Sequence, residues 1–382
     1  MLVVVGLALA VARLTGARPP GPAGPTGSVT AQPSRQPDQP PAGNQPQAPA
    51  NPGCAALVAN MPLRAKLAQR LMVGVEPSQP GSARTVVAND QVGGIFIGGN
   101  PTAILRGDAL APMRSVARTP VAVAVDDEGG RVQRIDALDG SIPSARTMAA
   151  TMTPAQVRAL ATKRGQQLRA RGVTVDIAPV LDVSSQPADS VIGDRSFSTS
   201  PSKVVAYAGA FAAGLRDAGV LPVFKHFPGH GRATGDSHAG AVSTPPLAQL
   251  RTDDLVPYHQ LLGSGPAAVM VGHLDVPGLT DKVPASLSPA AYQLLRTEFG
   301  FTGVTMTDDL GAMKAITNTY DLPTAVLTAL RAGADIALWT STEDLPTILA
   351  KLQAAAANGQ LSAQNVDQST ARILAAKGVC TG

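Results

Sequence analysis

The chain has 382 residues and a formal charge of +4, and that charge divides evenly between residues 1–53, where Arg13, Arg18 and Arg35 outnumber Asp38, and residues 54–382. With 12 aromatic residues in all and no run of Lys or Arg, it lacks the basic stripe with interleaved aromatics that marks nucleic-acid binders. Residues 1–53 hold 11 of the 33 prolines and no aromatic side chain, a composition that cannot bury enough apolar surface to offset its ordering entropy.

The chain opens on MLVVVGLALAVA, an apolar run closed by Arg13 that is shorter than the roughly 20 residues a membrane span needs. Residues 1–18 therefore read as a signal peptide or N-terminal anchor and predict export to the extracellular space, the cell wall or the outer face of a membrane. Residues 19–53 read as a disordered Pro/Gln/Ala linker that spaces a domain from a membrane or wall. The folded domain is expected over 54–382, bracketed by the only two cysteines, Cys54 and Cys380. In an exported chain such a pair is expected to close as a disulfide.

Within the domain, short aliphatic runs at 71–75, 94–97, 121–125, 174–180, 223–227, 268–272, 303–307 and 336–340 predict eight strands. Helices lie between them. Thr153, Ser200 and Ser288 each precede a proline, the signature of an N-cap followed by proline at the first helical position, while Gly172 and Gly219 sit where two of these helices would stop. Eight nearly continuous apolar strands alternating with helices predict a parallel (β/α)₈ barrel of the TIM type, with an open doubly wound sheet as the alternative. Polar groups gather just after these strands: Asp126-Asp127-Glu128 after the third, Asp182 after the fourth, Lys225-His226 within the fifth, His273 after the sixth and Asp308-Asp309 after the seventh. In a barrel those ends share one mouth, where barrel enzymes keep their chemistry.

The densest local signal is Lys225-His226-Phe227-Pro228-Gly229-His230-Gly231, followed by Asp236-Ser237-His238. His226 and His230 are four apart, as on a zinc-binding helix, but Pro228 and Gly229 between them break a helix, and no metal site is expected. KHFPGHG with DSH resembles the signature of family 3 β-N-acetylhexosaminidases. VDDEGGRVQR (125–134), IGDRSF (192–197), PASLSP (284–289) and GVTMTDDL (303–310) extend the resemblance over most of residues 60–378. One departure is Asp127, where the family more often has Gln; it is expected to tune substrate binding.

The resemblance implies a retaining exo-hydrolase of terminal β-linked N-acetylglucosamine, drawn from peptidoglycan fragments if the chain is exported, working without cofactor and as a monomer. It implies Asp308 as nucleophile and His238 as acid/base, with Asp236 fixing the imidazole tautomer on a mobile loop over 231–240. Asp126, Arg134, Arg195, Lys225 and His226 are implied as sugar contacts, whereas Asp309, His230 and His273 are expected to support the site. Two other readings stand beside this one: a phosphorylase using the same residues, because a histidine does not repel an incoming phosphate dianion, and a non-catalytic cell-wall glycan-binding protein.

Overall fold

The computed structural model describes residues 52–100 and 102–380. The segments read from sequence as signal or anchor and as linker lie outside the described residues, except that Pro52 and Gly53 already belong to the helix Pro52–Ala59.

Eight parallel strands close into a barrel. In chain order they are β1 (Leu71–Gly74), β2 (Gly94–Phe96), β3 (Ala122–Val125), β4 (Val175–Asp176), β5 (Leu221–Phe227), β6 (Ala268–Val271), β7 (Thr305–Asp309) and β8 (Ile336–Trp339). Each strand pairs with the next, and β8 returns to β1 through Leu71 opposite Ala337. Successive side chains of a strand point to opposite faces, so every strand feeds two cores. Met72, Phe96, Ala124, Val223, Met270 and Leu338 fill the interior, while their neighbours Leu71, Ile95, Val123, Phe224, Val271 and Trp339 pack outward against helices. This double burial is why the strands read as unbroken apolar runs rather than as alternating patterns.

The helices start where the sequence places their caps, with one difference in how the caps are made. Thr153 closes a full capping box on helix Pro154–Ala170: its hydroxyl accepts from the Gln156 amide, and the Gln156 side chain accepts from the Thr153 amide. Ser200 and Ser288 occupy the N-cap positions of Pro201–Asp217 and Pro289–Gln293 without a side-chain cap bond.

Two strand boundaries differ from expectation in ways that matter for the site. The ladder of β4 stops at Asp176; beyond it the chain follows β5 through the Val223 amide, which donates to the Ala178 carbonyl, and a bridge from Val180 to Lys225. The seventh strand runs to Asp309, so Asp308 and Asp309 are its last two residues instead of lying beyond it.

At the opposite end the first and last described segments of the barrel are fastened. Lys377 Nζ donates to the carbonyl of Gly93, just before β2, and to Gln69 Oε1. Buried Arg70 donates to the carbonyls of Leu330, Ala334 and Asp335 and to Asn365 Oδ1, tying the C-terminal helix Ala363–Ala376 to the base of the barrel. Cys54 and Cys380 are joined in a disulfide beside Val58 and Leu374. Titration of the denatured, unreduced protein is therefore expected to find no free thiol. Replacing both cysteines with Ala should lower unfolding stability, by as much as about 5 kcal/mol if the entropy of so long a closed loop is the whole effect; urea denaturation with and without reductant measures it.

Candidate active site

At the C-terminal ends of the strands a cavity of about 700 Å³ opens. Asp126, Arg134, Arg195, Lys225, His226, Asp236, His238 and Asp308, the eight residues expected to bind or act on substrate, all line it.

Its floor is a charge cluster built on Glu128. Arg195 grips this carboxylate through two parallel bonds, Nε to Oε2 at 2.8 Å and Nη2 to Oε1 at 2.7 Å. Lys225 Nζ adds a contact to Glu128 Oε1 at 2.5 Å and another to Asp126 Oδ1 at 2.9 Å, and Arg134 Nη2 stands 3.6 Å from Asp126 Oδ2. The side chains of Lys225 and Glu128 are each 3% exposed. Burial opposes charge on both, but the partners outweigh it: Arg195 and Lys225 hold the Glu128 carboxyl below its ordinary range, and Asp126 and Glu128 hold the Lys225 ammonium above its own. The site thus presents fixed donors and acceptors of both signs, which bond hydroxyl groups more strongly than neutral partners do. Glu128 is a site residue that the sequence reading leaves out, although its place directly after a strand and before two glycines carries the signal. Those glycines are required: Gly129 and Gly130 have φ of 95° and 60°, and a Cβ on Gly129 would lie 2.3 Å from the Pro143 carbonyl oxygen.

Asp127 does not take part in the cavity. It is fully buried, with Oδ1 accepting from Arg164 Nε at 2.7 Å and Oδ2 from the amides of Arg134 and Ile135. It shapes the turn that carries Arg134 and touches no ligand space, so the expected tuning of substrate binding has no direct contact to act through.

On the fifth strand, register with β6 shifts between Phe224 and Phe227, and within this irregular stretch the adjacent Lys225 and His226 both face the cavity. Buried Asp182 organises the turn beyond this strand. Its Oδ2 accepts from His226 Nδ1 at 2.7 Å, and its Oδ1 accepts from the His230 amide at 2.6 Å and the His226 amide at 3.4 Å. With Nδ1 donating to a carboxylate, the Nε2 of His226 is left for a ligand.

Asp308 sits on β7 with Oδ1 accepting from the Asp309 amide at 2.9 Å. Burial alone would raise its pKa; His273, His226, that amide and Lys225 together hold it below the ordinary carboxylate range, so it is ionised at neutral pH. Asp309 turns away from this role. Its carboxylate accepts from the Gly311 amide, the Thr340 amide and the Thr340 hydroxyl, sewing the end of β7 to the end of β8. His273 is also supporting: its Nε2 donates to the Asp309 carbonyl at 2.8 Å, and its Nδ1 meets Ser286 Oγ at 2.7 Å.

Asp236 and His238 stand on the loop after β5, with Asp236 Oδ1 accepting from both the His238 amide at 2.9 Å and its Nδ1 at 2.7 Å. The His238 side chain is 61% exposed and its Nε2 has no protein partner among the described residues. Ser237 between them is buried, and its carbonyl accepts from the Ala315 amide, so this loop touches the segment that follows Asp308.

A closed parallel barrel with an ionised strand-end carboxylate, a histidine–carboxylate pair and a floor of paired charges at one mouth has the makeup of a barrel enzyme for a polar substrate. Residues 62–376 match the profile described as "Glycosyl hydrolase family 3 N terminal domain", and the chain belongs to that family. It is a glycoside hydrolase. Among curated relatives it is 50% identical to "Beta-hexosaminidase LpqI" of Mycobacterium tuberculosis over 93% of this chain and 92% of the relative. It is 37% identical to "Beta-hexosaminidase" of Alkalilimnicola ehrlichii over 74% and 84% of the two chains. Among solved structures it resembles a glycosyl hydrolase of the GH3 family from Mycobacterium smegmatis, at TM-score 0.82 and 53% identity over 85% of this chain and 99% of the other. It also resembles a GH3 β-N-acetylglucosaminidase from a Paenibacillus strain, at TM-score 0.77 and 32% identity over 83% of this chain and 62% of the other.

Because Glu128 is buried and pairs with both Lys225 and Arg195, Glu128→Ala is expected to lower folding stability by roughly 3–5 kcal/mol, the cost of breaking a buried charge pair. Urea unfolding of the two proteins measures this, and a change under about 1 kcal/mol would mean that Asp126 suffices to hold the cluster.

Proposed function

We propose that this β-N-acetylhexosaminidase is a retaining exo-enzyme that releases terminal β-linked N-acetylglucosamine from peptidoglycan fragments outside the cytoplasm. The observation that carries the reading is the pairing, in one cavity, of an ionised buried carboxylate, Asp308, with an exposed imidazole, His238, whose Nδ1 is occupied by Asp236 and whose Nε2 is free among the described residues. The Paenibacillus structure named for N-acetylglucosaminidase activity supports the choice of sugar, and the Cys54–Cys380 bridge supports an oxidising compartment, where peptidoglycan is the abundant source of this sugar.

In the first step, one Asp308 oxygen attacks the anomeric carbon as the glycosidic C–O bond breaks, and the imidazolium of His238 gives its Nε2 proton to the leaving oxygen. What remains is a glycosyl ester on Asp308 and a neutral His238 protonated at Nδ1, the tautomer that Asp236 holds. In the second step that unprotonated Nε2 takes a proton from water, whose oxygen attacks the anomeric carbon and displaces Asp308. The floor of Asp126, Arg134, Arg195, Lys225 and His226 orients the sugar throughout. With a histidine acid/base on the loop after β5, the barrel itself supplies the proton.

Hydrolysis of a chromogenic β-GlcNAc substrate, followed with and without inorganic phosphate, is expected to give N-acetylglucosamine in both cases; formation of the 1-phosphate would make the enzyme a phosphorylase. Asp308→Ala is expected to abolish turnover while keeping the fold. A fluorinated GlcNAc donor should label Asp308, and a label mapped by mass spectrometry to Asp309 would overturn the assignment.

The proton donor has its own signature. His238→Ala is expected to slow cleavage of a GlcNAc disaccharide by about 10²–10⁴-fold while sparing the pre-steady-state burst from an activated aryl glycoside, whose leaving group needs no proton. Equal losses on the two substrates would remove His238 from that role.

A further inference from the structure

One polar side chain in the cavity is left without a task. His230 is 2% exposed, and neither of its ring nitrogens has a hydrogen-bond partner among the described residues. Buried polar groups without partners are uncommon and cost free energy, so this ring is placed to receive a partner from something that enters the cavity. Its position is not loose. The His230 amide is held by Asp182, and its ring stands edge-on to His226 with centroids 5.8 Å apart. Burial, with the neighbouring His226, holds the ring's pKa below the ordinary histidine value. The ring is therefore neutral at pH 7 and offers one N–H and one lone pair.

A complementary acceptor lies on the acid/base loop. Asp236 Oδ1 takes both bonds from His238, and Asp236 Oδ2 accepts none among the described residues. His230 lines the same cavity as Asp236 and His238 and lies near enough to Asp236 to influence its carboxylate, yet no bond joins the two in the present arrangement. The loop has the means to move. Gly235, with φ of 104°, and Gly240, with nothing within 4 Å of where a Cβ would be, flank the pair. Below them, Thr234 bridges to Ser243 and the Ser237 carbonyl holds the Ala315 amide.

We propose that His230 is a positioning residue for the acid/base pair: as the loop closes over bound sugar, the His230 ring N–H donates to Asp236 Oδ2 and thereby aims His238 Nε2 at the glycosidic oxygen. Asp236 then bridges two imidazoles, one fixed to the barrel through Asp182 and one carried on the loop. A carboxylate with one oxygen to each ring transmits orientation from the rigid motif to the moving donor, which is the geometric control that proton transfer depends on.

This inference rests on the acid/base reading of His238, and the test keeps the two apart. Wild type, His230→Ala, His230→Gln, His238→Ala and the His230→Ala/His238→Ala double variant are compared on a GlcNAc disaccharide and on an activated aryl β-GlcNAc, with burst amplitude counting folded active sites. His230→Ala is expected to lower disaccharide kcat by up to about 10²-fold, the scale of a misplaced catalytic group, with KM and the aryl burst rate nearly unchanged. His230→Gln, which keeps an N–H donor, is expected to recover most of that loss, and the double variant to be little worse than His238→Ala alone. A raised KM with equal losses on both substrates would make His230 a sugar contact and overturn the proposal, as would unchanged disaccharide turnover or full additivity in the double variant. Equal losses in His238→Ala itself would instead overturn the acid/base reading beneath it.

Discussion

Taking a carboxylate out of water costs several kcal/mol unless its oxygens find donors, and Asp182 is buried completely behind the fifth strand. Its two oxygens meet that demand with three donors from one short stretch, the His226 ring and the amides of His226 and His230. Desolvation works to raise its pKa, but the facing imidazoles and the His230 amide keep it lower than usual, and so charged. Pairing that charge within one short stretch holds the turn after β5 in place. That arrangement fixes the tautomer of His226, seats the ring of His230 and sets where the Asp236–His238 loop begins.

The two groups proposed to react are held in opposite ways. Asp308 belongs to a strand, is pinned by the neighbouring amide, and lies over Asp309, whose carboxylate laces β7 to β8 through Thr340. His238 belongs to an exposed loop held by a single carboxylate and a few backbone bonds. On the proposed mechanism, a nucleophile that must meet one carbon at one angle is served by rigidity, and a proton donor that must admit the substrate before covering it is served by a hinged support. The Ser237–Ala315 bond runs between these regimes and links the loop to the segment beyond Asp308.

Much of this is legible in the residues. Largely apolar runs mark the eight strands, because burial on both faces leaves few polar positions away from the mouth to blur the pattern. Strand-end polar residues then point to the mouth, since closure of the barrel brings those ends together whatever the distances along the chain. Direction is harder to read. Asp126, Asp127 and Glu128 are consecutive acids, yet one faces the cavity beside Lys225 and Arg134, one is sealed against Arg164 and one is gripped by Lys225 and Arg195. Alternation alone does not assign them once the chain has left the ladder for a glycine turn. The role of Asp182 is hidden for a related reason: its partners lie 44 and 48 positions away and are reached only because β4 and β5 are neighbours.

The covalent bridge at the base has a topological meaning beyond stability. Cys54 and Cys380 have Cα atoms 5.1 Å apart, and the C-terminal segment that carries Cys380 lies under the starts of the strands, at the face away from the mouth. Head and tail of the barrel are therefore neighbours, and the eight units form a ring in connectivity as well as in space. In such a ring the place where the chain is cut is a matter of convenience, as circular permutation of domains with adjacent ends illustrates. A cargo fused next to Cys54 or Cys380 would stand clear of the sugar's entrance, and new ends opened in a basal loop would leave every group lining the mouth where it is.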